Sequence, residues 1–132
     1  QRRCDTIEEG YEFMLAYAAQ GLPGDAGSQS GGQLREFLTR MATALTGIGD
    51  AFGALIEGES LEPGPRYRAY GAVFDRDARD SLAAVELVLA QPSISSQLVD
   101  NLNASIHLRA LLTDLFLIDE LLKSQPAAAG AP

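Results

Sequence analysis

His107 is the only histidine, and no nucleophile motif accompanies it. At helical spacing it shares a stripe with Asp100, Asn103 and Asp114. Each of those carboxylates lies two turns away, roughly 10 Å along the axis, so neither can join His107 around one metal ion. A general base or a haem ligand paired with Met14 is the functional alternative. The pairing with Met14 needs the two side chains at one height, and ordinary bundle geometry separates them. Di-iron carboxylate bundles use a Glu-x-x-His pair on each of two helices, and the chain holds no such pair. A solvated rim position for His107 is the simpler expectation. The glycines of Gly21–Gly32 follow a helical pattern and lack a trailing Lys-Ser/Thr, so they do not form a phosphate loop. The sequence therefore predicts no catalytic residue, no metal ligand and no cofactor, and the chain reads as non-enzymatic.

Cys4 is the only cysteine and can make no internal disulfide; it is expected to be a bystander. Asn103-Ala104-Ser105 matches a glycosylation sequon but falls in the middle of an expected helix, and it is taken as chance.

Two groups of residues could bind rather than react. Tyr11, Met14, Tyr67, Tyr70 and Phe74, with Gly49 and Gly53, could line an interior pocket for a small ligand. Gly49 and Gly53 are four apart, which permits close approach of a backbone or a flat molecule, although close helix packing is the plainer reason for them. The second group lies on the last helical segment. Leu108, Leu111, Leu115, Ile118 and Leu122 form a seam, and Leu112, Phe116, Leu117 and Leu121 widen it until little polar face remains. A helix apolar nearly all round must be covered nearly all round. Phe13 and Tyr17, four apart on the first segment, would add aromatic anchors to such a surface. A protein interface is the favoured reading, and a central helix wrapped by its own chain is the alternative. Arg109 and Asp114 sit within this helix, and a charge buried there must be paired.

Four periodic segments must position these residues. The first opens on the capping boxes Asp5–Glu8 and Thr6–Glu9, carries Ile7, Tyr11, Met14, Leu15, Ala18 and Leu22 on one face, and stops at Gly21 and Pro23. A flexible loop is expected over Gly21–Gly32. The second spans Gln33 to Glu57, with Leu34, Leu38, Met41, Leu45, Ile48, Phe52 and Leu55 at alternating steps of four and three. Its interior Gly47, Gly49 and Gly53 each weaken a helix and need a reason. The third covers Arg66 to Ala90 and presents the charge run Asp75–Asp80 on its outer side. After Gln91-Pro92-Ser93, with Ser93 as the expected cap, the fourth runs from Ile94 to Ser124. Its apolar face shifts by roughly a third of a turn between its halves.

The pattern predicts an all-α fold, an up-down-up-down four-helix bundle over 1–124, with a flexible Ala/Gly/Pro-rich tail over 125–132. Hydrophobic content of 46% with no Trp and 7% aromatics points to a Leu, Ala, Ile and Val core. Eighteen acidic against ten basic residues give a net charge of −8, which disfavours nucleic acid because affinity for it comes largely from neutralising phosphates. No apolar run reaches the ~18 residues of a membrane span. The expectation is a cytoplasmic, non-catalytic interaction module, an accessory, assembly or regulatory subunit that acts as a homodimer or on a helical protein partner. The alternative is a ligand-binding or sensing bundle.

Overall fold

The computed structural model describes residues 2–124. The tail expected over 125–132 lies outside the described residues. Those described fold into six α-helices and no strand: α1 (Arg2–Ala19), α2 (Gln29–Leu45), α3 (Ile48–Gly58), α4 (Gly64–Leu89), α5 (Ser96–Ala104) and α6 (Ile106–Lys123). The all-α expectation holds, but two of the four expected helices are each divided. α1 packs on α2 and α5, α4 on α2, α3 and α6, and α5 also meets α6. No helix among the described residues is long and apolar enough to cross a membrane.

The first division falls at Thr46-Gly47. Thr46 is extended and Gly47 has φ +76°, a left-handed conformation that suits glycine and ends the regular helix. Arg3 on α1 covers the break, its Nη1 donating to the carbonyls of Ala44 (3.3 Å) and Thr46 (2.5 Å). A guanidinium there satisfies orphan carbonyls and suits the negative end of α2. The apolar seam continues across the break, with Leu34, Leu38, Met41, Leu45, Ile48 and Phe52 all buried. At its end Ile56 takes the inward place expected of Leu55, which is exposed.

The second division falls at Ser105, which is extended (φ −62°, ψ 140°) and serves as both the last cap of α5 and the first cap of α6, its Oγ accepting from Leu108 N. The shift of apolar face between the halves of this segment is the trace of that break. Ile106, four residues after the buried Leu102, is consequently turned out to solvent.

Helix starts also move. α1 is helical from Arg2, so Thr6 lies inside it and bonds back to the Arg2 carbonyl instead of capping. α2 starts at Gln29 rather than Gln33, capped by Ser28 accepting from Gly31 N, and Ser95, not Ser93, caps α5 by accepting from Leu98 N. The buried face of α1 is Ile7, Gly10, Met14 and Tyr17, which leaves Leu15 exposed. Gly10 gives Met41 of α2 its place, since a Cβ there would lie 2.7 Å from the methionine Cε.

The loop after α1 is pinned. Asp25 accepts from Arg35 Nε (2.5 Å) through one carboxylate oxygen and from Ile94 N (2.6 Å) through the other. Arg35 donates onward to the carbonyls of Leu89 and Gln91 at the end of α4. Tyr17 Oη donates to the Ile94 carbonyl, Ser96 Oγ donates to the Tyr17 carbonyl, Ser96 N donates to the Leu22 carbonyl, and Leu22 N donates to Ser96 Oγ. This clasp ties together three chain segments that composition alone would leave loose.

Gly49 and Gly53 prove to be unlike. A Cβ on Gly49 would fall 2.7 Å from the Asp75 Cβ on α4, whereas one on Gly53 meets nothing within 4 Å. Gly49→Ala should therefore cost about 1–3 kcal/mol through forced separation of α3 and α4. Gly53→Ala should gain roughly 0.5–1 kcal/mol from helix propensity. Urea midpoints of the two variants check the opposite signs.

Candidate functional site

The most unusual chemistry lies between α4 and α6. On α4, Tyr70, Phe74, Asp77 and Ser81 recur at steps of four and three and so share one face. Ser81 Oγ donates to the carbonyl of His107, and Tyr70 Oη donates to Oδ1 of Asp114. Residue numbers thus rise along one helix as they fall along the other, so α4 and α6 are antiparallel.

Asp114 is 5% exposed. Its Oδ1 takes the Tyr70 hydroxyl, but its Oδ2 has no donor. The group within hydrogen-bonding reach of that carboxyl is a second carboxyl, Asp77, half-buried on α4. Ionised carboxylates only accept, so the two can bond to each other only with a proton between them. Burial first, then the bond to Asp77 and its charge, push the Asp114 carboxyl up to about 7 against the opposing Tyr70 hydroxyl. Burial raises the Tyr70 hydroxyl in turn, and its bond to Asp114 adds to that. The arrangement holds a proton near neutral pH. No group of three or more potential metal ligands occurs among the described residues.

The buried charge foreseen on the last helix is thus Asp114, which meets a phenol and a carboxyl. Arg109 is exposed. Asp77 was expected on the outer, solvated side of α4. Its place seven residues after Tyr70, two turns along the same face, was the available signal. Within the same charge run Asp75 does pair outward with Arg79 (2.9 Å).

Of the proposed interface residues, Tyr17, Leu108, Leu111, Leu115 and Ile118 are buried in the chain's own core, and Leu122 is half-buried against it. Phe13 is half-buried and stacks on Phe37 of α2 (centroids 4.5 Å apart). Besides Ile106 at its start, the large apolar residues that α6 leaves in solvent are Phe116, Leu117 and Leu121.

The proposed pocket residues are dispersed. Met14 is buried on α1, Tyr11 is half-buried beside it, and Tyr67 is buried near the start of α4. Phe74 meets Phe52 edge-on, Tyr70 bonds Asp114, Gly49 backs onto Asp75, and Gly53 is open. The two surface hollows described are lined by none of these residues. One lies between Thr39, Thr43, Glu86 and Leu89, the other between Leu22, Ser96 and Asp100.

His107 sits on the rim, its Nδ1 3.9 Å from Asp80 Oδ2. Cys4 is half-buried, and burial raises its thiol, which suppresses the thiolate a nucleophile needs. No protein-family model, curated protein or solved structure matches the chain.

Proposed function

We propose that the chain is a non-catalytic interaction module that self-associates through the outer face of α6. The observation that carries this reading is the exposure of Phe116 (61%), Leu117 (44%) and Leu121 (38%) on one short stretch of helix. Single exposed apolar side chains are common, but a contiguous group on a folded surface marks a contact. The same helix already uses Leu108, Leu111, Leu115 and Ile118 inward, so these outward residues are surplus to the core.

A second copy of the chain suits this face. Arg109, Phe116 and Glu120 stand at steps of seven and four, on one line of α6. An antiparallel α6 from another copy would set each Arg109 opposite the other's Glu120, with the Phe116 rings between. Such a two-fold contact is self-complementary. The role it suits is that of an accessory or assembly subunit in a four-segment helical bundle.

The test is the mass in solution by light scattering. Phe116→Ser with Leu117→Ser should give a monomer with unchanged helicity. Glu120→Arg should weaken association, and adding Arg109→Glu should restore it. A wild-type monomer at all concentrations, or a double charge swap that does not restore association, sinks the reading.

A further inference from the structure

We infer that Tyr70, Asp77 and Asp114 form a proton-operated latch between α4 and α6, closed when one proton bridges the two carboxyls and loosened when both are ionised. The burial of Asp114, its donorless oxygen and its bond from Tyr70 are the geometry behind it. Asp114 is buried, one of its oxygens is without a donor, and what faces it from the neighbouring helix is an acceptor of the same kind. A single proton repairs all three conditions. It supplies the missing hydrogen bond, removes one of two like charges, and leaves Tyr70 free to donate to the remaining lone pairs.

Losing that proton to solvent leaves two negative charges in a half-buried seam. Their repulsion and the stranded Oδ2 then favour separating α6 from α4 at this layer.

The ionisable groups around Asp114 are few. Among the described residues, those that act on it are Asp77 and Tyr70 of α4, and neither is a cation. On α6 the nearest histidine is His107, two turns away, exposed, and beside Asp80 of α4. Because the closed form holds the Asp114 proton more tightly than an open form does, the latch's contribution is fully present below the ordinary carboxylate range. It is lost as pH rises through about 7. Val73, three residues after Tyr70, is exposed, as are Leu117 and Leu121, three and seven residues after Asp114 and on the same side of α6. The inference concerns the seam itself and does not depend on self-association.

The test is amide exchange in α6, corrected for intrinsic chemistry, together with the urea midpoint, across pH 5–8.5. In the wild type the opening constant of α6 should rise by nearly tenfold per pH unit below about 7 and then level off. Asp114→Asn keeps the shape, gives Asp77 a permanent donor and should flatten that rise. Asp77→Asn, on the half-buried side, replaces the second carboxyl with a donor and should lessen the rise, since burial still acts on Asp114, and it serves if the buried variant folds poorly. His107→Gln should leave the rise intact, which separates the latch from an ordinary histidine titration. A wild-type opening constant flat over this range would overturn the latch. So would a rise that survives in both Asn variants, or one that millimolar magnesium or calcium removes, since the seam would then be a cation site.

Discussion

Leu115→Glu combined with Ile118→Glu is expected to unfold the protein, with loss of far-UV helicity rather than release of a folded monomer. Both side chains are buried in the core beside Leu108 and Leu111. A carboxylate placed there has no cation to pair with, and burying an unpaired charge costs several kcal/mol (on the order of 3–5) at each position. A small domain has only about 5–15 kcal/mol in reserve. A milder probe gives a number. Leu111→Ala removes a fully buried side chain and should cost about 2–5 kcal/mol. Leu117→Ala, six residues further on but exposed, should change stability by less than about 0.5 kcal/mol. Equal losses at the two positions would mean that α6 is not seated on α4 as described.

Asp25→Ala carries the second largest effect, about 2–3 kcal/mol. The carboxylate serves both the Arg35 guanidinium and the Ile94 amide, so its removal strands two donors at once. The guanidinium is about a third exposed (34%), so water recovers part of the loss, which keeps the figure below that of a fully buried pair. Asp25→Asn should fall between the two, since it retains one acceptor. The pH dependence has a definite sign. The hydrogen bond from Arg35 holds the Asp25 carboxyl below its usual range, against the upward push of burial. Its contribution is therefore present above about pH 4 and lost as pH falls through the depressed folded value. Acid denaturation of the wild type and of Asp25→Asn checks this, because the variant's midpoint should respond less to pH in the acid limb. This dependence is opposite in sense to that of Asp114 and occupies a more acidic window.

The helical class and the core positions could be read from the sequence because periodicity reports burial directly. Leu34, Leu38, Met41, Leu45, Ile48 and Phe52 are found where their spacing puts them. What periodicity does not report is where a helix pauses without changing its apolar line. Gly47 interrupts α2 and α3 at a point where the seam runs on, and only its left-handed backbone reveals the break. At Ser105 the shift of the apolar face was visible, but a serine within a helical pattern is equally compatible with a continuous helix. The Gly21–Gly32 segment looked loose by composition, and its order comes from Asp25, Arg35 and the Ile94 amide, groups far apart in sequence. The same holds for Asp77. It lay in a charge run that local pairing explained well enough, and only the antiparallel seating of α6 brings it to Asp114. Polar networks across helices are set by the tertiary register, and a one-dimensional pattern does not encode it.

Ser105 divides the allegiance of the chain. Before it, α5 belongs to α1; after it, α6 belongs to α4. One extended residue is thus a boundary between cooperative units, since the helical hydrogen-bond ladder does not run through it. An opening that starts in α6 can stop there and leave α5 docked, with the Leu22–Ser96 bonds closed behind it. Brief openings of the last helix can therefore begin on a free-energy scale below that of the whole molecule, although its lasting loss would strip Leu108, Leu111, Leu115 and Ile118 from the core.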